Sequence, residues 1–245
     1  GVPSDGSVTF WPNVGQTNSG SNTWTRSWFN FGQQPFAYTP PVGYKTLNTN
    51  NLPEPTIKQP NKHFDATLYT GANSAQTITN AGGFQPSFIW FKARNVAYYN
   101  TLEDDIRGAG TRLFSNLTDG ESNDGILTSF NSNGFTVSYN NNWTNANGST
   151  YVGWQWKASN TTAVTNTSGS ITASVSANTT AGFSVVTFTG TGAAATVGHG
   201  LGVAPSMIIA KCRGTTENWL VGHNSIGWNN SLNLNLTDAA SNSIT

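Results

Sequence analysis

The sequence predicts an all-β fold, organised as tandem β-sandwich modules joined by extended linkers. Only 9% of the 245 residues are charged, whereas Asn, Thr, Ser and Gly are abundant and nine residues are Trp. This composition favours strands and turns. The chain also repeats itself at a gapless offset of 119 residues. The repeated unit spans roughly 100 residues, which is the size of a domain rather than of a short solenoid repeat.

The repeat is clearest in two stretches, FQPSFIWFKAR at 84–94 and VAPSMIIAKCR at 203–213. Five of the eleven positions are identical, where average residue usage gives about one match or fewer by chance. The proline followed by an apolar run predicts a strand that ends in Lys-x-Arg. We expect each basic pair to anchor a loop or partner strand through an aspartate that recurs at the same offset. The residues concerned are Lys92, Arg94 and Asp119, with their counterparts Lys211, Arg213 and Asp238.

Three further patterns predict strands. HFDATLYTG at 63–71 and GFSVVTFTG at 182–190 alternate apolar and polar residues and end in Thr-Gly, which indicates a half-buried strand followed by a turn. ILTSFNSNGFTVSYN at 126–140 predicts a hairpin with an Asn-Gly turn. STYVGWQWKA at 149–158 predicts a strand with two faces. We expect the face that carries Val152, Trp154 and Trp156 to lie in the core, together with Trp90 of the apolar run.

These elements suggest a division of the chain after residue 47. Residues 48–62 are Pro-rich and form a stiff linker, and residues 63–158 form the first β-sandwich module. Residues 159–181 are a Ser/Thr/Asn-rich linker with the β-branched content of an extended strand, and residues 182–245 form the second module. The second module stops before the counterparts of the last strands of the first. We therefore expect the native chain to be longer.

Charge and motifs argue against several function classes. Eleven basic residues balance eleven acidic residues, so a basic surface for nucleic acid is not expected. No apolar run reaches the roughly 18 residues of a membrane span. The single cysteine, Cys212, follows an apolar run and is expected to be a buried, inert thiol. Phosphate-binding, nucleophile-elbow and dinucleotide motifs are missing from the sequence, and no cofactor is expected.

Two acidic stretches could carry chemistry. LEDDIRG at 102–108 would place Glu103 and Asp105 on one face of a strand, and such a pair could hydrolyse a glycosidic bond. The favoured interpretation is a surface turn in which Asp105 pairs with Arg107 or caps backbone amides, with cation or ligand binding as the alternative. DGESNDG at 119–125 departs from a calcium loop at its sixth and twelfth places and predicts a plain turn. The spacing of Cys212 and the histidines His63, His199 and His223 fits no zinc motif.

Aromatic residues in polar loops are the best binding candidates. Trp143 lies in YNNNWTNANGS, and Tyr98 and Tyr99 lie in RNVAYYNT. An exposed ring beside amides and carboxylates suits a sugar, because the ring stacks on C–H groups while the polar groups bind hydroxyls. The favoured interpretation, however, is that these rings pack against a neighbouring loop or subunit. The candidate ligand-binding residues are Tyr98, Tyr99, Asp105, Arg107 and Trp143.

The stretch NFGQQPFAYTPPVGYKTLNTNNLPEP at 30–55 resembles the end of SPRY-like domains found in bacteriophage structural and tail-fibre proteins. Residues 1–47 would then be the C-terminal part of a SPRY-like β-sandwich. The following module, with its GFQPSFIWFKAR, Asp-x-Arg-Gly and YVGWQWKA elements, resembles the one that commonly comes next in those proteins. The second module departs from this pattern, because Asn224, Ser225 and Ile226 replace the Asp-x-Arg element.

This resemblance implies a virion structural protein located on the tail or on a surface fibre. We expect a tail fibre or receptor-binding component that contacts the host cell surface. The expected partners are two further copies in a homotrimer, other virion proteins, and a host-surface glycan or other receptor. Trimeric multivalency would strengthen weak binding at each single site. The alternatives are a head fibre or capsid-decorating protein without a receptor role, and a polysaccharide depolymerase that uses Glu103 and Asp105.

Overall fold

The computed structural model describes residues 54–139, 141–159 and 163–242, together with Pro35, Thr39 and residues 41–44. The chain divides into two compact units, Gly1–Pro55 and Thr56–Thr245. The predicted SPRY-like segment lies outside the described residues, apart from the few positions named. In the described part of the chain, the regular elements are strands and short 3-10 turns, without an α-helix. The all-β prediction is therefore confirmed.

The first repeat is built from nine strands in two antiparallel sheets. The strands are β1 (Phe64–Thr70), β2 (Gln76–Thr79), β3 (Phe88–Ala93), β4 (Thr101–Asp104), β5 (Thr111–Phe114), β6 (Ser122–Asn123), β7 (Leu127–Asn131), β8 (Gly134–Val137) and β9 (Thr150–Trp156). One sheet has the order β1-β9-β3-β4-β5-β6, and the other has the order β2-β8-β7. The last strand of the repeat, β9, thus lies between β1 and β3 and pairs antiparallel with both. It joins β1 to the other strands of the larger sheet.

The core of this repeat lies between the two sheets. It is formed by apolar residues of β2, β3, β7 and β8, namely Ile78, Ile89, Phe91, Leu127, Phe135 and Val137. Alternation along β3 sends Ile89 and Phe91 inward. Across from Phe91, Gly153 of β9 leaves room for an aromatic ring, since a Cβ there would lie 3.2 Å from Cζ of Phe135. The predicted hairpin is β7–β8, although its two turn residues are Ser132 and Asn133 rather than Asn-Gly.

The prediction for the two faces of β9 was wrong for the tryptophans, although Val152 is buried as predicted. Tyr151 and Gln155 are fully buried, whereas Trp154 and Trp156 are half-buried. The buried amide of Gln155 is satisfied, because it accepts a hydrogen bond from Asn80 and donates one to Thr67. The face of Tyr151 and Gln155 meets the second sheet, so it carries the core despite its polar residue. The tryptophans lie on the outer face.

The outer face of the large sheet is rich in aromatic rings. Trp156 packs between Phe64 and Phe88, with ring centroids 4.9 and 5.4 Å away. Phe183 of the second repeat stacks on Trp156 at 6.0 Å. Trp90, which was also predicted to be core, is half-buried and meets Trp154 edge-on. This face is only partly covered, which explains the intermediate burial of its tryptophans.

In the residues of the second repeat that the structure describes, six strands form two three-stranded sheets. They are β10 (Val164–Asn166), β11 (Ala173–Asn178), β12 (Phe183–Phe188), β13 (Met207–Ala210), β14 (Leu220–His223) and β15 (Leu232–Asn233). The sheet orders are β10-β11-β12 and β13-β14-β15. The segment 159–181, predicted to be a linker, supplies β10 and β11. Its alternation explains this, since Ala173 and Val175 are buried.

The offset of 119 residues found in the sequence also relates the strands of the two repeats. It carries the starting residues of β1, β3 and β4 onto those of β12, β13 and β14. Turn contacts recur too: the side-chain oxygen of Asn116 accepts a bond from the backbone N–H of Asn100, and that of Asn235 accepts one from Trp219, both at 2.9 Å. The asparagine of the repeated NLTD sequence therefore makes the same hydrogen bond between two loops in each module.

Candidate functional site

The structure brings two predicted binding residues together at one end of the β4–β5 pair. Tyr99 precedes β4, and its ring lies 5.0 Å from that of Phe114, the last residue of β5. Trp143 lies in the loop before β9, and its ring packs edge-on against that of Phe114, with the ring centroids 4.9 Å apart. The pairing of Thr101 with Phe114 places these segments side by side. Together with Arg112, these three rings are called the aromatic cluster.

Arg112 is a member of the cluster that the sequence reasoning missed. Its guanidinium carbon lies 4.1 Å from the ring centre of Phe114 and 4.4 Å from that of Trp143. The same side chain forms an ion pair with Asp124 at 2.6 Å. Residues 112 and 114 share one face of a strand, so the Arg-x-Phe spacing was a signal that could have identified it. A cation over two rings stabilises their arrangement by about 0.5–2 kcal/mol.

The ring of Trp143 packs against a neighbouring strand, as the favoured interpretation predicts, and does not stand exposed in its polar loop. Trp143 is half-buried because Arg112 covers its face. Asn145, which is fully buried, orders the loop by donating to the carbonyls of Ser74 and Ser138. Tyr99, in contrast, keeps 44% of its surface exposed. The accessible part of the cluster is therefore the Tyr99 ring and the uncovered portion of Trp143.

Tyr98 belongs to a different environment. It is half-buried and packs against the cluster formed by Ala93, Ala146 and Tyr151. Its backbone carbonyl accepts a hydrogen bond of 3.3 Å from Nζ of Lys92. The side chain of Tyr98 thus supports the sandwich core, and Lys92 holds its backbone.

Asp105 and Arg107 lie at the opposite end of the β4–β5 pair, across four strand residues or about 13 Å. Of the two roles predicted for Asp105, the pairing with Arg107 was wrong, because Arg107 pairs with Asp104 and also donates to the carbonyl of Leu102 at 3.2 Å. The other role is confirmed, since the Asp105 carboxylate accepts backbone hydrogen bonds within the turn. Its backbone N–H donates to the carboxylate of Asp104 as well. The side chain of Arg107 is only 4% exposed, and its bonds stabilise the turn that follows β4.

The carboxyl groups of Glu103 and Asp105 do not form an open pair. Glu103 is 0% exposed and accepts a 2.7 Å hydrogen bond from the N–H of Gly110. Burial raises the pKa of Glu103 to about 8, while the Gly110 bond and the charge of Arg107 oppose this shift. Burial also raises the pKa of Asp105 to about 6, opposed by a hydrogen bond from Ser87. Because β4 ends at Asp104, Asp105 is already in the turn.

The Lys-x-Arg pair of the second repeat anchors a loop of the first. Arg213 makes two 2.8 Å hydrogen bonds to the carboxylate of Glu121, and Nζ of Lys211 donates to the carbonyl of Thr118 at 2.9 Å. The Arg213 bonds lower the pKa of Glu121. The anchor predicted for this pair, Asp238, was therefore wrong, because the pair bonds to Thr118 and Glu121 of the first repeat. In the first repeat, Lys92 donates instead to the carbonyl of Tyr98.

Trp219 makes a buried apolar contact between the repeats. Its side chain is 5% exposed and packs with Leu102 and Leu113 of β4 and β5. Its indole N–H donates a 2.8 Å hydrogen bond to the carbonyl of Phe114. The backbone of Phe114, a residue of the aromatic cluster, is thus hydrogen-bonded to the second repeat.

The remaining candidates are surface or loop residues. Cys212 is exposed rather than buried, because it lies beyond the end of β13, and a hydrogen bond with Thr215 lowers the pKa of its thiol. His199 and His223 each accept a backbone hydrogen bond within their own loops. Across the described ranges, no three His, Cys, Asp or Glu residues are grouped to hold a metal ion. The same part of the chain has no helix long and apolar enough to cross a bilayer.

Comparison with known proteins relates the chain to a protein family. A search of curated proteins and a search of solved structures each found no match. A family described as "Domain of unknown function (DUF7483)" matches residues 59–245, from just before β1 through both repeats. The match covers more than half of the chain, and the chain therefore belongs to the DUF7483 family.

Proposed function

We propose that this chain is a structural protein of a bacteriophage virion, a tail fibre or receptor-binding component that contacts the host cell surface. The observation that carries the proposal is the buried contact of Trp219, which fastens one β repeat to the next. The modules of a fibre protein must keep their relative orientation under mechanical load. The resemblance of residues 30–55 to phage fibre sequences supports the phage context.

The carboxyl groups also favour a structural role over catalysis. Glu103 is sealed between the sheets, and Arg107 is neutralised by Asp104. A glycosidase needs both carboxyl groups at the glycosidic bond, and a substrate cannot reach Glu103. If the purified chain released sugar from host envelope, and Asp105→Asn abolished that release, the depolymerase alternative would replace this proposal.

Receptor contact is assigned to the aromatic cluster. Tyr99 presents an exposed ring beside half-buried Trp143, and the exposed residues Asn95 and Asn142 lie in the same loops. Exposed rings with amide side chains in the same loops suit a host-surface glycan. The interaction at one such shallow site is weak, and three copies would strengthen it by multivalency.

Assembly is tested by the mass of the chain in solution. We expect sedimentation equilibrium to give three times the mass of one 26.1 kDa chain. A chain that stays monomeric at high concentration would contradict the homotrimer. Labelling the protein on intact virions by electron microscopy separates the locations: signal at the tail supports the proposal, and signal on the head favours the capsid-decorating alternative.

Receptor binding is tested on a glycan array. We expect binding that Trp143→Ala and Tyr99→Ala each reduce by about tenfold, because each removes a stacking surface. Trp228→Ala is the matched control, since Trp228 is an exposed tryptophan of the second repeat. Absence of binding, or binding equally reduced by Trp228→Ala, would remove this site.

A further inference from the structure

The two repeats also meet where β1 begins and β9 ends. The turn that joins β11 to β12, residues 178–183, lies at this place and is called the β11–β12 corner. The ring centroid of its last residue, Phe183, lies 6.0 Å from those of Phe88 and Trp156. The side chain of its first residue, Asn178, contacts the carbonyl of Lys157 and the ring of His63. The corner is therefore a joint between the repeats.

The side chain of Asn178 has a fixed orientation in this joint. Its Oδ1 accepts a 3.0 Å hydrogen bond from the backbone N–H of Ala181, and its Nδ2 donates to the carbonyl of Lys157 at 3.3 Å. Because a backbone N–H only donates and a carbonyl only accepts, these two bonds determine which end of the amide is the NH₂ group. Nδ2 also lies 3.0 Å from Nδ1 of His63. The amide therefore presents an N–H group to the imidazole ring.

His63 accepts this hydrogen bond in one protonation state only. Nδ1 must keep its lone pair, so the ring is neutral and carries its proton on Nε2. An imidazolium ring has N–H groups at both nitrogens and would place two donors 3.0 Å apart. Histidine is the side chain that ordinarily takes up a proton between pH 5 and 8. Proton uptake at His63 therefore replaces an attractive contact between the repeats with a repulsive one.

The charged groups around the imidazole do not offset an added positive charge. The carboxylate of Asp65 accepts a 2.8 Å hydrogen bond from the N–H of Ala81, and Nζ of Lys62 donates to a backbone carbonyl at 2.7 Å. Lys157, at the end of β9, is a second cation, and the β11–β12 corner has no charged residue. The ion pairs among the described residues do not include the histidine. A protonated ring thus has two neighbouring lysines and a carboxylate that is already bonded elsewhere.

We propose that proton uptake by His63 releases the β11–β12 corner from the first repeat, so that the joint is tighter at neutral pH than at mildly acidic pH. Trp219 packs on β4 and β5, at the other side of the sheet, and has no group that titrates in this range. The second repeat therefore stays attached through Trp219 while its β11–β12 end becomes free to move. The proposal concerns the joint alone and does not depend on the proposed function.

Two measurements on the whole chain test this proposal. A long-range ¹H–¹⁵N NMR correlation spectrum at pH 7.5 should show the proton of His63 on Nε2. Hydrogen exchange, corrected for the chemical exchange rate at each pH, should be about fivefold faster in β11 and β12 at pH 5.5 than at pH 7.5, which corresponds to the loss of one net hydrogen bond.

A matched pair of variants identifies the titrating group. His63→Asn keeps an acceptor oxygen in the place of Nδ1 but does not take up a proton, so its exchange in β11 and β12 should be the same at both pH values. His223→Asn is the control, because the ring of His223 accepts a hydrogen bond from Ser225 within its own loop. This control should show the same fivefold change as the native chain.

Three outcomes would overturn the proposal. The first is a proton on Nδ1 of His63 at pH 7.5, which is measured on the native chain and so does not depend on how well a variant folds. The second is an equal effect of pH on exchange in the native chain and in His63→Asn. The third is loss of the pH effect in His223→Asn, because the titrating group would then lie outside the joint.

Discussion

At the scale of single residues, Glu103 shows how the fold changes a side chain. The residue follows a leucine in a strand and lies opposite Ile89, so its carboxyl group enters the core between the sheets. One of its oxygens has a backbone donor, whereas Oε1 has no hydrogen-bond partner. A carboxyl in this position favours the protonated form. Its raised pKa makes the stability of the module dependent on pH.

We predict that Glu103→Gln stabilises the chain at neutral and alkaline pH. The folded state holds a proton that the unfolded chain releases above pH 4.5, so the free energy of unfolding falls as pH rises from 4.5 to about 8. The variant lacks this loss and should exceed the native chain by about 4 kcal/mol at pH 8. Near pH 4.5 the two should be equal.

Urea denaturation at pH 4.5 and pH 8 measures this difference. Glu217→Gln is the matched control, because Glu217 is exposed. Equal stability of Glu103→Gln and the native chain at both pH values would show that Glu103 stays charged in the core.

At the scale of elements, β9 organises the first repeat. It forms seven residue pairs with β1 and six with β3, so it is the central strand of that half of the sheet. Its residues alternate between the buried Tyr151 and Gln155 and the outer tryptophans. The hydrogen-bonded amide of Gln155 makes a polar residue acceptable in the core. Glycine is unfavourable in a strand, but at position 153 the lack of a side chain lets the ring of Phe135 pack against β9.

We predict that Gly153→Val destabilises the chain although valine favours strands. The new Cβ would lie 3.2 Å from the ring of Phe135, and its methyl groups would overpack a core without space. Overpacking of this kind costs about 1–3 kcal/mol. Gly190→Val is the control, since no atom lies within 4 Å of a Cβ built there. A thermal unfolding midpoint that stays the same in Gly153→Val would indicate that Phe135 can move aside.

At the scale of the whole molecule, two kinds of contact join the repeats. The Arg213–Glu121 pair has good geometry, but the Arg213 side chain is 41% exposed, and exposed pairs contribute about 0–1 kcal/mol. Trp219 is buried and hydrogen-bonded, and truncation of such a residue costs about 3–5 kcal/mol. The contact of Trp219 therefore contributes more to the association of the repeats than the ion pair does, and Phe183 adds ring contacts with Phe88 and Trp156.

We predict that Trp219→Ala separates the repeats and that Arg213→Ala does not. Loss of the indole removes packing on Leu102 and Leu113 together with the bond to Phe114. Hydrogen exchange followed by mass spectrometry should show faster exchange in β13–β15 and β4–β5 for Trp219→Ala, with β7–β8 unchanged. Equal protection in Trp219→Ala and the native chain would mean that the ion pair and backbone bonds suffice.

The sequence by itself determined the strands and the repeat, because both depend on local alternation and on identities at a constant offset. It also indicated that Lys211 and Arg213 anchor a loop. Which face of β9 is the core, which carboxylate pairs with Arg107, and that Arg112 covers Trp143 were decided only by the tertiary structure. These outcomes depend on which element packs against each surface. A strand pattern shows two faces, and only the position of the second sheet and of the second repeat decides which face is buried.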